Sequence, residues 1–531
     1  MIERLMPQSH RSPLQFALIF TLIVAPCARA QKPAARVEKP QPVSTAAAEA
    51  RTAKAFEEAR RTGQPALRAF LYSMPKGADL HNHLSGAIYA ESWIRVAGED
   101  HLCINTQTLS FDKPSGDACK PDEVPASDAP LNQHLYDRLI DAFSMRTFVP
   151  KTADSGHDHF FETFDRFGGT SKAHMGEWLD EVATRAAAQN EQYLELMDTP
   201  DFSQAAALAE KIGFDPDFAQ YRQKLLDAGI KDSIPAIRAG FDQAEADRKQ
   251  REHCGEVDAQ PACKVEIRFI YQVLRGEPPP VVFAQMLLGF EAASADPDIV
   301  GMNLVQPEDG YIAMRDYRLQ MQMLDTLHSF YPSVHITLHA GELAFGMVPP
   351  EGLTFHIRLA VEQGQAERIG HGVDIMYEDH PYELLKEMAS KHVMVEICLT
   401  SNDVILNVKG NDHPFMIYRK YGVPVALATD DEGVSRIDLT HEFVRAAETY
   451  PLSYTDLKKM VRTSLEHAFL PGASIWQSTT PESLDKPVPA CAGQLGQETP
   501  TGDCAQLIAG SEKAQQQWEL EHRFHEFEAS F

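Results

Sequence analysis

Short apolar runs rich in β-branched residues alternate along this chain with longer stretches whose apolar positions recur every three or four residues. The short runs are Ala78–His83, Tyr193–Met197, Val265–Leu274, Ile299–Val305, Val334–His339, Arg368–His371, Val393–Leu399 and Val423–Asp430. Between most of them lie amphipathic segments: Ala173–Gln189, Pro280–Ala293, Met314–Phe330, Tyr382–Ser390 and Leu439–Thr449. Strand and helix in alternation imply parallel pairing through crossover helices, and eight such units predict an α/β fold, a (β/α)₈ TIM barrel. A doubly wound sheet has the same alternation, so strand number does not separate the two.

Composition breaks mark the domain limits. Arg4 and Arg11 precede the apolar run Leu14–Ala25, and Ala28-Arg29-Ala30 follows as a small-x-small site, which predicts an export signal over residues 1–30 cleaved after Ala30. The run is too short to cross a bilayer, and Pro26 before Cys27 makes lipidation there the lesser alternative. Residues 31–73 read as a Pro/Ala-rich lead-in and a helix over Ala53–Phe70, residues 74–470 as the barrel, and residues 471–531 as a C-terminal extension ending in a polar helix near Gln515–Phe527. Residues 102–128, rich in Ser, Pro, Asp and Gly, read as a loop inserted after strand one.

Charge narrows the partners. With 49 Lys+Arg against 76 Asp+Glu, the formal charge is −27, which repels phosphate backbones and anionic lipid. A nucleic-acid binder is excluded unless a basic patch exists, and none is found; the partner is a small molecule. The mature chain is expected to have no membrane span, and a homodimer is compatible with the sequence. Export also implies an oxidising compartment, so Cys103 with Cys119, Cys254 with Cys263 and Cys491 with Cys504 are bridge candidates, with Cys398 a buried thiol. Spacing alone does not fix that connectivity.

Chemistry concentrates where the apolar runs stop. His81 and His83 stand at i and i+2 on strand one and face one side. Strand five ends in Leu338-His339-Ala340-Gly341-Glu342, strand six in Gly370-His371-Gly372 and strand eight in Thr429-Asp430-Asp431-Glu432. In a barrel these ends converge on one mouth. Neutral imidazoles with a carboxylate, here His81, His83, His339 and Asp430, suit a borderline divalent ion, zinc first and one per chain. Glu342, His371 and Asp431 remain as acid, base and orienting candidates. Other histidines, among them His134, His356 and His441, read as solvated, and His335 as a satisfied histidine of the barrel interior.

The segment Met74-Pro75-Lys76-Gly77-Ala78-Asp79-Leu80-His81-Asn82-His83-Leu84-Ser85-Gly86 resembles the opening of the adenosine deaminase family, and Met-Pro-Lys-Gly resembles its secreted, growth-factor-like branch. His-Ala-Gly-Glu, Gly-His-Gly and Thr-Asp-Asp follow in the family's order, and the similarity runs from about Pro75 to Leu470. The resemblance implies zinc on His81, His83, His339 and Asp430. Glu342 would protonate the purine ring nitrogen beside the attacked carbon, His371 would position and deprotonate the water, and Asp431 would hydrogen-bond the purine. Adenosine and 2′-deoxyadenosine are then the expected substrates, releasing ammonia. Two positions depart from the pattern: Ser85 where nucleoside-acting members often carry an acid, and Gln306 where a glycine is expected. Both are assigned to substrate binding, with weaker exclusion of 5′-modified or N6-modified analogues expected. A two-metal amidohydrolase would share His-x-His, but strand four offers Val305-Gln306-Pro307-Glu308 and no bridging lysine. A non-catalytic binding protein would have no need of Glu342 and His371 beside an intact ligand set.

Overall fold

The computed structural model describes residues 45–116, 118–151 and 155–531. All eight apolar runs are strands: β1 (Gly77–His83), β2 (Glu191–Asp198), β3 (Glu266–Leu274), β4 (Ile299–Val305), β5 (His335–Ala340), β6 (Arg368–His371), β7 (Met394–Ile397) and β8 (Val425–Leu427). Each pairs in parallel with the next. The ring closes where His83 N–H donates to the Asp430 carbonyl at 3.0 Å and Asp430 N–H to the His81 carbonyl at 2.8 Å. The architecture is therefore the barrel and not the doubly wound sheet. Helices cover the outer face of the barrel and side chains fill its interior, which is why β1 and β2 are buried throughout and carry no polar alternation.

The predicted helices are present, with Leu439–Thr449 reproduced to the residue and the others shifted by up to three at an end: Met175–Ala188, Pro279–Ala295, Tyr311–Phe330 and Pro381–Lys391. The N-terminal prediction over Ala53–Phe70 resolves into two helices, Thr45–Thr62 and Gln64–Ser73. Gly63 separates them at φ 123°, a backbone that glycine adopts without strain, and Pro65 starts the second helix where its missing N–H is not needed. Lys76 then ties that helix to the barrel. Its buried ammonium donates to the carbonyls of Leu71, Tyr72, Met74 and Gln189 at 2.7, 3.2, 3.0 and 2.5 Å.

The predicted loop over 102–128 contains a three-stranded antiparallel sheet, with Cys103–Asn105 between Ser110–Asp112 and Glu123–Pro125. The three bridges Cys103–Cys119, Cys254–Cys263 and Cys491–Cys504 are formed, and Cys398 is a buried free thiol. The C-terminal helix spans Glu512–Ala529, and the extension has a small core of its own around Ile475, Trp476, Leu484 and Trp518. The described residues form one compact unit. The export signal and Cys27 lie outside the described residues. Among those described, no helix is long and apolar enough to cross a membrane.

Three histidine expectations are corrected, one of them His413, which is buried and not solvated. His335 opens β5 at the opposite end of the barrel, 43% exposed, paired with Glu367 at 2.7 Å and stacked on Phe469; the first residue of a strand lies at the barrel's rim, outside its interior layers. His356 is fully buried and not solvated. It donates from Nδ1 to Glu308 at 2.5 Å and stacks on Tyr317, because it begins the helix His356–Glu362 on the face turned toward the loop that carries Glu342.

Candidate active site

A cavity of about 770 Å³ opens at the C-terminal ends of the strands. His83, His339, Glu342, Asp430 and Asp431 form its floor, and Ser85, Gln306 and an aromatic stripe of the helix Gly156–Phe167 line its walls. Three residues at this mouth hold left-handed backbone: Gln306 (φ 86°), His371 (φ 69°) and Asp430 (φ 64°). Such residues are each strained by about 1–3 kcal/mol, and here they turn side chains into the cavity as the strands end.

The imidazoles converge. His339 Nε2 lies 3.1 Å from both His81 Nε2 and His83 Nε2. Asp430 Oδ1 is 3.2 Å from His83 Nε2 and 3.5 Å from His81 Nε2. Each ring has an oxygen on its other nitrogen: Glu396 at 2.6 Å from His81 Nδ1, Gln272 at 2.7 Å from His83 Nδ1 and Asn303 at 3.1 Å from His339 Nδ1. An oxygen there takes the ring proton on Nδ1 and leaves a lone pair on Nε2. Three lone pairs about 3 Å apart repel one another unless a cation stands among them, so this donor set fits a divalent metal ion. The residues could hold one with His81, His83, His339 and Asp430 as ligands. His371 is also within ligand reach of His81, His339 and Asp430.

Burial sets the protonation of the rest. It works against charge on His81, but the Asp430 and Glu396 carboxylates outweigh it and raise that imidazole to about 10; the same carboxylates would receive a bound cation. Burial, with the neighbouring rings, holds His339 well below its ordinary value, and lowers His371 to about 3. Burial next to Asp430 and Glu308 raises Glu342 well above the usual carboxylate range. Asp431 is raised likewise by burial and Asp430. Both carboxyls are therefore biased toward the protonated form that a proton donor needs.

The glycines of the motifs make room. A Cβ on Gly370 would stand 2.5 Å from the His81 ring, and one on Gly86 would stand 1.6 Å from Asp431 Oδ1. Thus the structure brings together all nine residues singled out from the sequence, with two qualifications. Gln306 sits in the backbone region that favours the expected glycine, and its Oε1 is engaged by Gly276 N–H at 2.7 Å, which leaves only its NH₂ to face a ligand. His371 Nε2 is 3.7 Å from Glu342 Oε1, close but not hydrogen-bonded.

Sequence reasoning missed the groups that orient the site. Gln272, Asn303 and Glu396 are polar residues inside apolar strand runs, and that interruption was their signal. Glu308 accepts from Gly341 N–H at 3.0 Å and Glu342 N–H at 2.8 Å, and so fixes the loop that carries Glu342. It too follows a strand end. Beneath the site Arg368 pairs with Glu195 at 2.6 Å and Glu396 at 2.7 Å, and burial is outweighed by that guanidinium in holding Glu396 ionised.

A profile of the family described as "Adenosine deaminase" matches residues 171–475. Adenosine deaminase of Clostridium perfringens is 38% identical over 138 residues, which is 25% of this chain and 37% of that protein. Adenosine deaminase of Escherichia coli is 39% identical over 137 residues, 26% of this chain and 38% of that protein. The chain thus matches little more than a third of the length of these relatives. Arabidopsis ADAL complexed with IMP superposes with a TM-score of 0.50 at 21% identity, covering 75% of this chain and 93% of that one, a likeness of fold. His81 and His83 precede the matched segment; barrel closure is what joins them to it.

Proposed function

The chain belongs to the adenosine deaminase family, and on that premise we propose that it is a zinc-dependent aminohydrolase converting adenosine and 2′-deoxyadenosine to the corresponding inosines and ammonia. The observation that carries this reading is a buried Glu342, its carboxyl raised above the usual range, beside a convergent His81, His83, His339 and Asp430 set. Bound by those four residues, zinc would supply an acidified water, since it lowers a water pKa from 15.7 to about 7.

The remaining steps belong to the chain. Glu342 donates its proton to the ring nitrogen beside the amino-bearing carbon, which makes that carbon electrophilic; of the two protons of the added water, one restores Glu342 and the other goes to the amino group, which leaves as ammonia. Asp431, its carboxyl raised likewise by burial, donates to a purine nitrogen and fixes the base plane. His371, buried and neutral, faces the attacking water. The apolar wall of Trp93, Phe160, Phe164 and Phe167 excludes bulk water when a purine fills the cavity.

Substrate choice turns on charge at the mouth. Ser85 imposes no repulsion on a 5′-group, yet Asp158, Glu162, Asp165 and Asp198 also line the cavity, and Lys172 is already paired with Asp198 at 2.6 Å. A phosphate would meet that acidity, which favours a neutral nucleoside; N6-modified aminopurines, facing the Gln306 amide, are the second reading. Export is supported by the N-terminal pattern and the three disulfides. Loss of adenosine absorbance, with metal analysis of the same sample, tests the proposal. Turnover of adenosine with one zinc per chain is expected; no activity on any aminopurine overturns it, and a requirement for two metals overturns the mononuclear site.

A further inference from the structure

Behind His371 runs a line of hydrogen bonds that ends on a backbone amide. Phe415 N–H donates to His413 Nδ1 at 3.1 Å. A backbone amide only donates, so this nitrogen carries the lone pair. His413 is buried, which lowers its pKa to about 4 and keeps it neutral, with its proton on Nε2. That Nε2–H lies 3.0 Å from Asn402, which must therefore present Oδ1 to it. The other end of the same amide, an NH₂, is then turned to His371 Nδ1 at 3.0 Å. Since Asn402 Nδ2 cannot accept, His371 Nδ1 holds a lone pair and the ring's proton sits on Nε2. Among the described residues no protein atom accepts from that Nε2–H, which is fully buried beside Glu342.

The polarity is opposite to that of the three neighbouring rings. His81, His83 and His339 face oxygens with Nδ1 and so leave Nε2 as the nitrogen that can give a lone pair to a cation. For His339 the orientation of its partner is itself locked, because Asn303 Oδ1 also accepts His339 N–H at 3.1 Å. One ring of four faces a donor and turns a proton inward. We infer that Asn402 and His413 are positioning residues that hold His371 as an Nε2–H donor, so that it binds the oxygen of the attacking water and does not remove its proton. This replaces the role of base expected from the sequence. What the donor touches rests on the aminohydrolase reading; the tautomer does not.

The test is a long-range ¹H–¹⁵N spectrum of the full, metal-stripped chain labelled with ¹⁵N-histidine, with the His371 signals assigned by their loss in His371→Gln. Protonated Nε2 and unprotonated Nδ1 are expected for His371, and an Nδ1-protonated ring overturns the inference. Asn402→Asp places an acceptor opposite Nδ1 and should turn the ring over, with kcat falling about 10- to 100-fold and KM changing less, as for outer partners of catalytic rings. His413→Phe removes the lock without touching His371 and should give a mixture of tautomers. An unchanged tautomer in Asn402→Asp overturns the inference too. If wild type turns over no aminopurine, the proposed function fails while the spectrum still decides the tautomer.

Discussion

Glu396→Gln is the substitution that most directly interrogates the metal-ligand set. The wild-type carboxylate is fully buried and both oxygens are engaged: Oε2 by His81 Nδ1 at 2.6 Å, Oε1 by the Thr337 hydroxyl at 3.0 Å and by the Arg368 guanidinium in an ion-pair contact at 2.7 Å. Glutamine has one oxygen, so its NH₂ must oppose either His81 or the side holding Thr337 and the Arg368 guanidinium. An NH₂ against a buried cation is the costlier arrangement, since contacts to a charged group contribute about 1.5–3 kcal/mol against roughly 1 for neutral partners, so the oxygen stays with the guanidinium and the NH₂ turns to His81. That ring must then move its proton to Nε2, which points a donor at His83, His339 and Asp430 where a lone pair is needed. Removal of one buried negative charge beneath a dication acts in the same direction. Outer partners of this kind are worth about 10- to 100-fold in metal affinity, or about 1.4–2.7 kcal/mol. Zinc competition against a chromophoric chelator reads this directly, and thermal unfolding of the metal-free variant monitors the loss to Arg368 separately. A folded variant with unchanged zinc affinity would refute the assignment of His81 as an Nε2 ligand held by Glu396.

Glu342→Gln should keep its metal and fold while losing about 10²- to 10⁴-fold in kcat, the span of general acid catalysis; retained turnover or lost metal would show that it does not serve as the acid. Gly86→Ala forces a methyl to 1.6 Å from Asp431 Oδ1, so Asp431 must swing out of the cavity, and KM for the purine should rise at constant metal content, as titration calorimetry and steady-state kinetics will report. Glu378 and Glu442 are both raised to about 7, chiefly by burial. Their contribution to stability is complete below the ordinary carboxylate value of about 4.5 and is lost as pH climbs through 7. Buried neutral histidines act in the opposite sense, so the diagnostic quantity is a difference: the Tm of Glu442→Gln minus that of wild type should rise from pH 5 to pH 8, and a constant difference contradicts the raised value.

Much of the site is legible in one dimension for a simple reason. In a barrel the strands are parallel, so every strand's last residues share one face of the molecule, and a polar group at the end of an apolar run is a mouth residue wherever it falls in the sequence. That rule finds His81, His83, His339, Glu342, His371, Asp430 and Asp431, and would have found Glu308 had it been applied to β4. It fails for residues whose neighbours come from other elements. Periodicity puts His356 on a helix without saying that the helix's first turn faces Glu308, and it puts His335 on the His339 face without saying that His335 lies at the rim of the barrel's opposite end.

By itself, then, the sequence determined the eight strands and the residue types delivered to the mouth, because burial on both faces and strand polarity are written in the chain's local pattern. It also narrowed the cysteine pairs that the fold closes. The tertiary structure alone decided which nitrogen of each imidazole points inward. That depends on Gln272, Asn303, Glu396 and Asn402, brought from β3, β4, β7 and the helix after it, and on whether each offers an oxygen or an NH₂. A histidine is the same letter in either tautomer, and a partner many residues away chooses between them through the direction of a single hydrogen bond.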